Sequence, residues 1–179
     1  MLFPKYRKTL KVVDEILEPS IDLIQKSRKT QIVPYKEIEA IINVFFPKTA
    51  HINSSGGFIK QVYIIHSHKK LLALKLGERA DIKRDYNVYL SLPRSLRNRY
   101  FAEIYWRSAG GRFILQEFGE KKQIPGKELK RLQEIGHKFE LKDVRAANVM
   151  AFDGAYKIID ADSKKFTFWK FLRRYYFWR

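Results

Sequence analysis

The chain has no cysteine, which excludes disulfides, thiol catalysis and Cys-based zinc sites and removes any hint of an extracellular scaffold. Acidic residues are scarce: 19 Asp and Glu stand against 36 Lys and Arg, a net charge of +17. That balance favours an anionic partner such as phosphate, nucleic acid or acidic lipid, and is no evidence for catalysis. No uncharged stretch approaches the ~18 residues that a membrane-spanning helix needs. The start, Met1-Leu2-Phe3-Pro4-Lys5-Tyr6-Arg7-Lys8, runs into charge without an apolar h-region, so a signal peptide is not expected. A cytoplasmic location is the simplest expectation, with peripheral attachment at a membrane left open. Internal repeats and low-complexity linkers are also lacking.

What is present suffices for a core. Hydrophobic residues make up 45% of the 179 residues, enough for one domain with a small appendage and too many for wholesale disorder. Over 8–28, Val12, Val13, Ile16, Leu17, Ile21, Leu23 and Ile24 recur at helical spacing, with Pro19 expected to kink or split the run. Pro34 and Pro47 bracket a second helix whose apolar face is Ile38, Ile41, Ile42, Phe45 and Phe46. The texture then changes. Phe58 to Ile65 and Leu71 to Leu76 read as strands, 80–92 as a helix, and Phe101 to Arg107 and Arg112 to Phe118 as strands around Ser108-Ala109-Gly110-Gly111. A helix carrying Leu129, Leu132, Ile135 and Phe139 follows, then a short hairpin around Asp153-Gly154 and the strand 156–159. The expected class is α+β with an antiparallel sheet.

Four polar positions late in the chain could carry chemistry. Asp143-Val144-Arg145-Ala146-Ala147-Asn148 is a D-x-x-x-x-N element, and Asp160 follows at the end of an apolar strand. Phosphoryl transfer needs hard oxygen ligands for Mg²⁺, a carboxylate near the attacking hydroxyl, and cations for the moving phosphate. Asn148 and Asp160 could share a metal, Asp143 could orient the acceptor proton, and Arg145 could neutralise phosphate. Taken alone, the same spacing also describes an Asn in a turn and two Asp residues capping backbone. Lys75 interrupts the apolar run Leu-Ala-Leu-Lys-Leu; on an edge strand it would be a solvated lysine. Upstream, Ser54-Ser55-Gly56-Gly57 could bring backbone amides close to phosphates or mark an ordinary hairpin.

Together these elements resemble the protein-kinase-like superfamily in order and spacing. Leu-Ala-Leu-Lys75 resembles the Val-Ala-Ile-Lys strand, 142–148 the catalytic loop, and Ile158-Ile159-Asp160-Ala161-Asp162 the metal-binding segment. Leu115-Gln116-Glu117-Phe118-Gly119 takes the hinge place, where backbone groups meet adenine. The similarity covers about residues 50–163 and implies a bilobal fold: a helical extension over 1–49, an N-lobe with a small antiparallel sheet over 50–119, and a reduced C-lobe over 120–179. It implies ATP and Mg²⁺ as cofactors, with Ser55, Gly56, Gly57, Val62, Lys75, Asp85, Glu117 and Gly119 around the nucleotide. Asp143 becomes the catalytic base beside Arg145, and Asn148 and Asp160 become metal ligands. Asp85, within Asp81-Ile82-Lys83-Arg84-Asp85-Tyr86, stands where the family has a Glu to pair with the strand lysine.

The departures are specific. Ser55 and Lys60 stand where the outer glycines of the loop usually are. Leu141 and Lys142 replace the His and Arg of the catalytic loop, and Ala161-Asp162 replaces Phe-Gly. Only nineteen residues follow Asp160, so the expected form is pared down like RIO-type or lipopolysaccharide-type kinases, without an activation segment. The implied reaction moves the γ-phosphate of ATP to a hydroxyl: a protein Ser/Thr first, including autophosphorylation, and a lipid-linked sugar second. A non-catalytic kinase-like protein holding RNA, a ribosomal particle or an anionic membrane is the competing class. Ser163 to Arg179, rich in aromatics and cations, could bind RNA or acidic lipid, or simply cover the C-lobe core. The N-terminal helices are expected to pack on the N-lobe rather than to read a partner.

Overall fold

The structure, a computed structural model, describes residues 3–46, 50–52, 60–67 and 70–160. The described residues are α+β and form two compact units, one from those between 3 and 83 plus 104–117, the other from 84–103 plus 118–160. Among the described residues no helix is long and apolar enough to cross a membrane.

In the first unit, α1 (Phe3–Val12) runs through a π turn (Val13–Leu17) into α2 (Glu18–Arg28). The Glu18 amide donates to the Val13 carbonyl, a wide turn placed immediately before Pro19. A proline donates no hydrogen bond and its ring collides with the carbonyl of the preceding turn, so local widening lets the helix continue. The expected split at Pro19 is therefore a π bulge, and the helix begins earlier than expected, at Phe3. α2 closes on Lys29 in the left-handed region at φ 51°, with the Thr30 amide reaching back to the Gln25 carbonyl at 3.1 Å. α3 (Tyr35–Phe45) starts directly after Pro34, where the fixed φ of proline suits a helix entrance.

Five antiparallel strands follow in the order β1-β2-β3-β5-β4: β1 (Ala50–Ile52), β2 (Lys60–Ser67), β3 (Lys70–Gly77), β4 (Ile104–Arg107) and β5 (Phe113–Glu117). Side chains alternate across the sheet. Tyr63, Ile65, Leu72, Leu74, Leu76, Phe113 and Leu115 join one cluster with Val13, Leu17, Ile21, Ile38 and Ile42. Those last five helix residues are fully buried, and each contributes about 1.5–3 kcal/mol. The N-terminal helices are thus an integral layer on one face of the sheet. Burial there also pushes the Tyr63 phenol well above its ordinary pKa.

In the second unit, α5 (Arg94–Tyr100) follows α4 (Arg79–Ser91), within which the division between the units falls. Phe101 forms a parallel bridge with Ile158, and the Ala102 amide donates to the Ile158 carbonyl at 2.9 Å. For that reason the strand expected from Phe101 begins only at Ile104. α6 (Gly126–Lys138) precedes the hairpin of β6 (Val149–Phe152) and β7 (Ala155–Ile158). Asp153 and Gly154 turn it with φ of 36° and 85°, both positive as a tight two-residue hairpin turn requires.

Candidate active site

Lys75 lies on β3, an interior strand of the sheet, and is 7% exposed. Its backbone partners are Val62 on β2 and Ile114 on β5, so Val62 and Lys75 stand side by side on the face away from the helical layer. A solvated edge lysine is thereby excluded. The turn containing Ser55, Gly56 and Gly57 lies outside the described residues, as do Ala161-Asp162 and the segment 163–179.

The strand that lines up with Lys75 is held by groups sequence reasoning missed. Asp14, Glu18, Asp22 and Gln25 recur at successive helical turns and meet the β4–β5 turn. Glu18 Oε1 accepts from the Arg112 amide at 3.0 Å and from Ser108 Oγ, and the Ala109 amide donates to Asp14 at 3.1 Å. Arg112 donates to Asp22 at 3.2 Å and to Gln25, and Arg79 reaches Asp22 at 2.9 Å and the Gly110 carbonyl at 2.9 Å. Four polar residues one turn apart look like a solvated helix face; the available signal was two arginines flanking a glycine turn in so basic a chain.

Burial first, then the charges of Glu78 and Asp81, raise the Tyr35 phenol above its ordinary pKa. Asp85 is half-buried on α4. Glu117 ends β5 opposite Leu72.

Gly119 sits in the segment that bonds to β6, where the Glu120 and Ala151 amides exchange hydrogen bonds with each other's carbonyls at 2.9 Å. A Cβ on Gly119 would come 2.5 Å from the Ala151 carbonyl oxygen and 2.8 Å from the Phe152 ring. Gly119→Ala is therefore expected to cost about 1–3 kcal/mol by overpacking against backbone that cannot yield. Thermal unfolding measures this; an unchanged Tm would contradict the close approach.

The loop at 141–148 is built on the end of α6. Glu140 adopts φ 55°, its amide donates to His137 and the Leu141 amide to Gly136 at 2.8 Å, which closes the helix and turns the chain sharply. Leu141 and Val144 are buried. A Cβ on Gly136 would lie 2.6 Å from Val144 Cγ2, so glycine lets the loop lie against the helix. Leu141 acts as an apolar anchor for the loop.

Asp143 then takes φ 68°, a strained conformation that Asp and Asn tolerate better than other side chains. Asn148 Nδ2 donates to the Asp143 carbonyl at 2.8 Å and to its Oδ2 at 2.9 Å. Arg145 Nε pairs with Asp143 Oδ1 at 3.0 Å. Both amide protons of Asn148 are thus spent on Asp143, leaving Oδ1 as its acceptor. The Ile159 amide donates to the Asn148 carbonyl at 2.9 Å, extending the Val149–Ile158 register by one pair. That bond brings Asp160 to the end of the hairpin where Asn148 stands.

An amide oxygen and a carboxylate form a hard-oxygen donor set, which fits Mg²⁺. Among the described residues no three His, Cys, Asp or Glu gather into a metal-holding group. Mg²⁺ ordinarily completes its shell with water and phosphate oxygens, so two protein donors are sufficient for it. No family model, curated protein or solved structure matches the chain.

Proposed function

We propose that the protein is an ATP- and Mg²⁺-dependent phosphotransferase with a kinase-like bilobal arrangement, moving the γ-phosphate to a hydroxyl acceptor. A protein Ser/Thr, including the chain itself, is the favoured acceptor; a lipid-linked sugar is the second. The observation that carries the reading is the corner in which Asn148 spends both amide protons on Asp143 while its carbonyl anchors Ile159 beside Asp160. A buried lysine on an interior strand supports it from the first unit.

Each residue has a distinct task. Mg²⁺–ATP, when bound, supplies the transferable phosphoryl group together with part of the charge that neutralises it. Asp143 accepts the hydrogen bond of the acceptor hydroxyl and takes its proton. Arg145 fixes one carboxylate oxygen of Asp143 and keeps a cation at the transfer site. Asn148 fixes the other oxygen and offers Oδ1 to the metal with Asp160. Lys75 supplies an ammonium for the nucleotide phosphates.

Lys75→Met tests that last role. Methionine keeps the approximate length and volume of the side chain and removes the ammonium, and circular dichroism checks that the variant folds. ATP affinity is expected to fall roughly tenfold to hundredfold, the loss of one charge-assisted hydrogen bond. Unchanged affinity by equilibrium binding would remove Lys75 from the site.

A further inference from the structure

The second unit carries a cation cluster that the proposed chemistry does not use. α5, Arg94-Ser95-Leu96-Arg97-Asn98-Arg99-Tyr100, has three arginines, no acid and no buried residue. Two of its guanidinium groups rest on rings. Arg97 lies 5.1 Å from the centre of the Tyr89 ring and Arg99 lies 5.2 Å from that of Tyr100. From α6, Arg131 reaches the same Tyr100 ring at 5.6 Å, with Glu128 at 2.8 Å as its carboxylate partner. Among the described residues Arg94, Arg97 and Arg99 have no carboxylate partner, and Arg97 Nε is buried with no hydrogen-bond partner. Lys127 and Lys130 are exposed on α6 beside Arg131.

Arg97 and Arg99 are positioned by aromatic faces rather than by acids. A ring holds a guanidinium in place without neutralising it or occupying its outward N–H edge. That edge matches phosphate in a fork, and the outer guanidinium face can stack on a base. A membrane surface would call for aromatic or aliphatic side chains free to insert, whereas Tyr100 here is covered by two arginines. We infer that the α5–α6 surface binds single-stranded nucleic acid, taking phosphates on Arg94, Arg97, Arg99 and Arg131 with little base specificity. The inference does not depend on the phosphotransferase reading, because none of these residues belongs to that site.

The test uses the full chain and a fluorescein-labelled oligouridine RNA, followed by anisotropy across a potassium chloride titration. Three proteins are compared: wild type, the triple variant Arg94→Gln/Arg99→Gln/Arg131→Gln, and a charge-matched control Lys8→Gln/Lys26→Gln/Lys36→Gln on the helical layer. Arg97 is kept because part of it is buried, and circular dichroism confirms that each variant folds. Wild type is expected to bind, with the triple variant weakened roughly tenfold to hundredfold and its log–log salt slope shallower by about 2, at about 0.7 per phosphate lost on a single strand. The control is expected to stay within about threefold of wild type, because screening confines distant charges. Equal losses in the two variants would reduce the effect to net charge and overturn the site. Absence of RNA binding would also overturn it, as would arginine-dependent capture by phosphatidylglycerol vesicles without RNA binding.

Discussion

Asp143→Asn is expected to lower phosphotransfer by about 10²–10⁴-fold, the range over which a positioned general base contributes, while leaving ATP affinity within about threefold of wild type. The substitution is conservative in three ways. Asparagine tolerates the left-handed backbone that residue 143 adopts at φ 68°. Its carbonyl oxygen can still accept from Asn148 or Arg145, the two donors that now hold the carboxylate at 2.9 and 3.0 Å. Its volume is nearly unchanged. What it loses is the capacity to take a proton. Transfer of label from γ-labelled ATP to the chain or to a generic protein acceptor measures the effect. Full activity in the variant would remove Asp143 from the base role, whereas simultaneous loss of ATP binding would mark it as part of the nucleotide site.

Glu18→Ala is expected to have the largest effect on stability, roughly 2–6 kcal/mol, from two buried donors left without an acceptor at about 1–3 kcal/mol each. The Arg112 amide, at 3.0 Å, and Ser108 Oγ both lose Glu18 Oε1. Ser108 Oγ in turn accepts from the Phe113 amide at 3.0 Å, so the disturbance reaches the first residue of β5. Asp22 differs: its side chain is 52% exposed, and solvent screens much of what its ion pairs contribute. The same carboxylate explains the glycine at 110, where a Cβ would fall 1.8 Å from Glu18 Oε2. Gly110→Ala therefore presses on the clamp from the opposite side and should also destabilise. Urea unfolding followed by tryptophan fluorescence checks both. A loss below about 0.5 kcal/mol for Glu18→Ala, the level of an ordinary surface change, would show that the helices are held by apolar contacts alone.

Much of the fold was legible because punctuation and periodicity agreed locally. Pro34 marked the start of α3, and Ile38 and Ile42 of its apolar stripe are fully buried. Asp153-Gly154 specified a turn whose two positive φ values the chain adopts. Lys75 was legible as a candidate only by its apolar flanks; that it is interior depends on β5 pairing across a long sequence separation. β1 was missed because Ala50-His51-Ile52 is too short to show alternation, and it exists through pairing with 62–64. α5 was missed because its seven residues hold only Leu96 and Tyr100 as apolar positions, too few to show an amphipathic stripe. The polar stripe Asp14, Glu18, Asp22 and Gln25 was invisible because four polar residues one turn apart read as a face for water until the hairpin that covers them is known. In the site itself the D-x-x-x-x-N spacing was legible, but the bond from Ile159 to Asn148 was not, since it follows from the β6–β7 register.

The most direct measurement is calorimetric binding of ATP, with and without Mg²⁺, by wild type and Asp160→Ala. Asp160 stands at the end of the hairpin that anchors Asn148, so removing its carboxylate takes away one hard-oxygen donor and leaves the strand pairing intact. The expected result is wild-type binding that strengthens with Mg²⁺ and a variant in which that gain is lost while the metal-free component persists. Identical Mg²⁺-dependent affinity in the two proteins, or no binding of ATP by wild type, would contradict a phosphotransferase site at Asp143, Asn148 and Asp160.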